Sequence, residues 1–154
     1  MKKLFIYYSN TENCAFVAEA FAKRGYDVCR VHPKKELPRA FILQMLTGGY
    51  RAWRKKCTPL KKYGTDVSAY DRVIIGSPIW NGRISAPVNT LLCDEAVKAK
   101  VSAFVFCAGG GTAPKAVERV KDEFPGAAAA VLKEPKRHPD ELEKLKNLFD
   151  GIER

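Results

Sequence analysis

Three short apolar runs in this chain each end in a loop of small and polar residues. The runs are Leu4-Phe5-Ile6-Tyr7-Tyr8, Val73-Ile74-Ile75-Gly76 and Ala103-Phe104-Val105-Phe106. The loops are Ser9-Asn10-Thr11-Glu12-Asn13-Cys14, Ser77-Pro78-Ile79-Trp80-Asn81-Gly82 and Cys107-Ala108-Gly109-Gly110-Gly111-Thr112. Strands followed by helical patterns demand a parallel sheet, because parallel neighbours need a crossover and the crossover covers the sheet. All three loops then share the carboxyl edge, where open α/β sheets bind ligands.

The intervening segments fit that scheme. Strands are expected over residues 3–8, 26–31, 72–76, 102–107 and 127–132. The first helix is expected from about Asn13 to Arg24, with Cys14, Val17, Ala18 and Phe21 as its apolar stripe. Gly25 suits a left-handed residue after that helix. Further helices are expected after Pro38 (Phe41, Ile42 and Met45 inward, stopped by Gly48-Gly49), after Ser85, after Thr112 and from Pro139. The expectation is a doubly wound α/β domain over residues 1–154, with a five-stranded parallel sheet ordered 2-1-3-4-5.

The 154 residues suffice for one core, and no stretch approaches the roughly 20 apolar residues of a membrane span. Met1-Lys2-Lys3 and the run after it read as a first strand rather than a signal peptide. Five cysteines without a C-x-x-C pattern point to reduced thiols in the cytoplasm, and the two histidines stand in no metal-ligand pattern. No metal site and no residue for general acid or base work stands out.

The first loop opens a helix, whose N-terminal N–H groups form an anion site. Ser9, Thr11 and Asn13 add neutral donors, and the loop holds no Lys or Arg. That composition fits a phosphate on a tightly bound cofactor; these residues could also simply cap the helix. The Walker G-x-x-x-x-G-K-[ST] and dinucleotide G-x-G-x-x-G patterns are both absent. Trp80 offers an aromatic plane for a flat ring, or packs against neighbouring loops. Gly109, Gly110 and Gly111 let backbone approach a ligand, or make a flexible connection.

Together, these loops resemble those of the flavodoxins and flavodoxin-like FMN proteins, over nearly the full chain. The family's first loop, S/T-x-T-G-x-T, cradles the FMN phosphate; Ser9, Thr11 and Asn13 match it, while Glu12 replaces the glycine and Cys14 the last threonine. The resemblance implies FMN as cofactor, held by Ser9, Asn10, Thr11, Glu12, Asn13 and Cys14 at the phosphate. It implies that Ser77, Pro78, Ile79, Trp80, Asn81 and Gly82 flank the ring, and that Cys107, Ala108, Gly109, Gly110 and Gly111 add backbone contacts to it. Redox work follows: electron transfer, or nicotinamide-dependent reduction of a small acceptor. The alternative is a binding module that has lost FMN, and Glu12, a negative charge beside a dianion site, is its best support.

Net charge is +10, and from Leu37 to Thr65 the chain holds Arg39, Arg51, Arg54, Lys55, Lys56, Lys61 and Lys62 without one acid. Tyr50, Trp53 and Tyr63 lie among them. Such a segment suits an anionic partner: an acidic redox protein, the phosphates of a nicotinamide nucleotide or, less in keeping with the loops, nucleic acid. It equally suits a solvated loop.

Overall fold

The computed structural model describes residues 1–36, 38–40, 43 and 57–154. The helix expected after Pro38 therefore falls largely outside the described residues. So do Tyr50, Arg51, Trp53, Arg54, Lys55 and Lys56.

Along the chain run β1 (Lys3–Tyr7), α1 (Asn13–Ala22), β2 (Asp27–Arg30), β3 (Arg72–Trp80), β4 (Arg83–Ile84), α2 (Ala86–Leu91), α3 (Glu95–Lys98), β5 (Val101–Ala108), α4 (Pro114–Glu123), β6 (Ala128–Lys133) and α5 (Lys144–Ile152). The sheet order is β2-β1-β3-β5-β6, all neighbours parallel, with the short β4 pairing antiparallel to the end of β3. Counting parallel strands alone, this is the expected 2-1-3-4-5.

Alternation along the central strands divides the core in two. Leu4, Ile6, Val73, Ile75, Phe104 and Phe106 face one side with Val88 and Leu91 of α2 and Ala116 and Val120 of α4. Phe5, Ile74, Ala103 and Val105 face the other, with Val17 and Phe21 of α1 and Leu145 and Phe149 of α5. The rings of Phe5 and Phe21 stack at 4.2 Å, clamping α1 onto β1. Gly76 sits where the layers are tightest: a Cβ there would lie 2.6 Å from Phe5 Cζ and 2.8 Å from Tyr7 Cβ. Gly25 takes the expected left-handed turn, at φ 81°.

The main departure is at β3. It continues to Trp80 instead of ending at Gly76, and turns back through Asn81 (φ 50°) and Gly82 (φ 75°) into β4. Two successive positive φ values in an Asn-Gly pair are the two-residue hairpin turn that this dipeptide favours. Residues 77–80 are therefore strand, and only 81–82 form a loop. The helix expected to be capped by Thr112 is preceded instead by Ala113. Among the described residues, no helix is long and apolar enough to cross a membrane.

Candidate functional site

The carboxyl ends of β1, β3 and β5 are brought side by side by register: Tyr7 pairs with Gly76, Pro78 with Cys107, and Tyr7 on its other side with Arg30 of β2. A cleft of about 340 Å³ opens there, within the size range of ligand pockets. Thr11 and Asn13 line it from the first loop, Pro78, Ile79, Asn81 and Gly82 from the hairpin, and Cys107, Ala108, Gly109 and Gly110 from the third loop. Thr112 and Glu134 complete the wall. Glu134 follows β6 and belongs to no motif, so only the pairing of β6 with β5 reveals it.

Other residues expected in the site are placed behind it. Ser77 is fully buried; its Oγ accepts from Ser85 N at 3.2 Å and donates to Pro78 O at 2.8 Å. Trp80 is 0% exposed and meets Tyr8 edge-on at 5.7 Å. Of the two readings of Trp80, a plane for a flat ring or a packed side chain, the structure shows the packed one, because the extended β3 carries it into the core; the place beside the ring that the resemblance implies is corrected. Cys14 is buried on the inward stripe, and burial pushes its thiol well above the usual range, so the helix N-terminus does not make it a reactive thiolate. Gly111 (φ 77°) lies against Lys133, where a Cβ would come within 3.2 Å. Tyr8, beside the first loop, is pushed up to about 12, chiefly by burial, and stays a neutral phenol.

The first loop is heavily organised. Ser9 Oγ accepts from Ala15 N at 3.3 Å, and Asn13 Nδ2 donates to Thr11 Oγ1 at 3.0 Å. Asn13 Oδ1 accepts from Lys136 N at 3.1 Å, tying the loop after β6 to the start of α1. Glu12, in the family's glycine position, adopts the left-handed conformation at φ 63°. Its carboxylate is turned onto Arg30, which also donates to Ser9 O at 3.0 Å. Hydrogen bonding from Arg30 holds the Glu12 carboxyl below its usual range. The charge that argued for a lost cofactor is thus neutralised inside the protein.

One polar group in this loop has nothing to do. Both amide atoms of Asn10 are buried without a hydrogen-bond partner among the described residues. A buried amide left unpaired is costly, and a ligand that pairs it recovers that cost.

Residues 8–141 match the profile of a family described as NADPH-dependent FMN reductase. The chain belongs to this family. Its members' chemistry is flavin redox, and the flavodoxin-like sheet and the three-loop cleft are in keeping with FMN as cofactor. No curated protein matches the sequence.

Solved structures share the fold of this FMN reductase family member. A Bacteroides uniformis protein described as a flavoprotein is 22% identical, covers 94% of this chain and 97% of its own, and superposes with a TM-score of 0.71. A Lactobacillus acidophilus flavoprotein, solved in complex with FMN, is 21% identical, with 90% and 97% covered and a TM-score of 0.62. Against the FMN expected of the family, the residues fit: Thr11 and Asn13, at the N-terminus of α1, line one part of the cleft, and in the same loop Glu12 is paired with Arg30 and the Asn10 amide is buried without a partner among the described residues. Gly109 and Gly110, both exposed, line another part of it.

A second cleft of about 310 Å³ lies beside α4, lined by Arg83, Lys115, Arg119 and Asp122 among others. It contains no part of the first or third loop. Among the described residues, no group of His, Cys, Asp or Glu is placed to hold a metal ion.

Proposed function

We propose that this chain is an FMN-dependent oxidoreductase that takes electrons from a nicotinamide nucleotide and passes them to a small acceptor or a redox partner. The FMN phosphate sits on the loop of residues 9–14 and its ring in the cleft between the Asn81-Gly82 hairpin and residues 107–110. The observation that carries this reading is the cleft itself, which all three loops line on one sheet edge.

In this reading Asn10 turns its unpaired amide to the ligand, and the first-turn N–H groups of α1 receive the phosphate. Thr11 Oγ1 lies at the cleft wall beside them. Arg30 keeps Glu12 from opposing the dianion. Pro78, Ile79, Cys107 and Ala108 give the ring an apolar floor. FMN, when bound, supplies the electron and hydride chemistry, while the protein supplies orientation and field. The basic residues between Leu37 and Thr65, of which Arg39, Lys61 and Lys62 are exposed among the described ones, favour an anionic donor such as a nucleotide carrying phosphates, or an acidic partner protein. Five cysteines with no disulfide between them support the cytoplasm as its compartment.

Titration of the apo protein with FMN and with riboflavin, followed by flavin fluorescence, tests the cofactor assignment. Quenching at micromolar protein is expected, with FMN bound more tightly than riboflavin. Equal affinities would remove the phosphate from the loop.

A further inference from the structure

Three of the five cysteines, Cys14, Cys29 and Cys107, are buried, whereas Cys57 and Cys93 are exposed. The exposed two are neighbours: their sulfurs lie 3.7 Å apart, although 36 positions separate them in the chain. Their approach is built by adjacent residues. Thr58 N donates to Thr90 Oγ1 at 2.8 Å, and Thr90 Oγ1 donates to Thr58 O at 2.6 Å. These bonds fasten the backbone beside Cys57 to α2. Cys93 follows the end of that helix, its thiol donating to Asn89 O at 3.3 Å.

We propose that Cys57 and Cys93 are a reversible redox pair, a dithiol that a peroxide closes to a disulfide and a small thiol reductant reopens. A disulfide needs the sulfurs at about 2.05 Å, so closure asks each to move by less than about 1 Å, within reach of side-chain rotation. The step balances with the peroxide as oxidant. One thiolate attacks the O–O bond, forming a sulfenic acid and releasing water once protonated. The second thiolate attacks that sulfur, forming S–S and expelling the oxygen as a second water. Two electrons leave the sulfurs and reduce the peroxide. A thiol reductant reverses the bond by exchange through a mixed disulfide. In a reducing compartment such a bond is transient and regulatory rather than a permanent staple. Its effect is topological: it ties the basic stretch, at Cys57, to the chain just after α2, the helix that follows the hairpin at the cleft. The pairing stands on Cys57, Thr58, Thr90 and Cys93 alone and does not depend on FMN.

The test uses the full-length reduced chain, treated with hydrogen peroxide in modest excess and quenched by alkylation. Thiol titration of the denatured protein should fall from five to three. Non-reducing peptide mapping should recover the peptides of Cys57 and Cys93 joined within one chain, and dithiothreitol should restore all the thiols. Cys57→Ser and Cys93→Ser should each abolish the internal link, leaving the remaining thiol as a trappable sulfenic acid or an intermolecular dimer. Overoxidation of both thiols to sulfinic acids without a linked peptide, or a link through any other cysteine, would overturn the pairing.

Discussion

Arg30 and Glu12 form a two-point ion pair at the loop of residues 9–14: Nη2 lies 2.8 Å from one carboxylate oxygen and Nη1 3.3 Å from the other. The pair joins the end of β2 to the residue that precedes α1 in a left-handed turn. The acid of this loop is thus part of a neutral pair, and the guanidinium also donates to Ser9 O, fixing the chain there.

Arg30→Ala should expose that acid. With Glu12 unpaired beside the phosphate, like-charge repulsion of about 1–2 kcal/mol should weaken FMN roughly tenfold. Riboflavin, lacking the phosphate, should change by less than about twofold. Fluorescence titration with both ligands reads the difference, and an equal loss for both would assign Arg30 to loop folding alone.

Asn10→Ala separates function from stability. Deleting a buried amide that has no partner among the described residues removes a penalty from the free protein, so its urea midpoint should hold or rise, while FMN affinity falls several-fold. A lower midpoint with unchanged affinity would show that the amide serves the fold.

The ion pair also predicts a pH response. The carboxyl of Glu12 is held below its ordinary value of 4.5 by Arg30, so the folded state favours the charged form. Its contribution to stability is complete above the unfolded value and is lost as pH falls through the lower folded one. Glu12 is 49% exposed at its side chain, which limits the contribution to about 1 kcal/mol or less. Wild type and Glu12→Gln should therefore differ by a constant small amount at neutral pH and converge as the pH falls through the lowered folded value, in urea unfolding at stepped pH.

Trp80 is a core residue. Trp80→Phe should cost about 1–2 kcal/mol of stability, measured by urea unfolding, and should leave FMN affinity of the folded protein within about twofold. A selective loss of affinity would restore the indole to the ring site.

The central sheet was legible because Ile74 and Ile75, like Phe104 and Val105, are consecutive apolar residues buried on both faces, the pattern of a parallel interior strand. The hairpin was legible in principle through Asn81-Gly82, but Ser77-Pro78 reads as a strand end. Only the pairing of Ile79 with Ile84 and Trp80 with Arg83 shows that β3 continues. That misplacement carried Ser77 and Trp80 into the expected site. Arg30 could not be read from sequence as a partner of Glu12. They lie 18 positions apart, and they meet because β2 registers Arg30 against Tyr7 at the end of β1. Glu134 was missed for the same reason, since it reaches the cleft through sheet order and through no local pattern.

Anaerobic reduction of the FMN-loaded protein by NADPH, followed as loss of oxidised-flavin absorbance in a stopped-flow instrument, decides whether the bound flavin takes electrons from a nicotinamide nucleotide. Complete bleaching is expected, at a rate that saturates with NADPH and slows as ionic strength screens the basic chain. Bound FMN that stays oxidised in excess NADPH, yet bleaches with dithionite, would contradict that role.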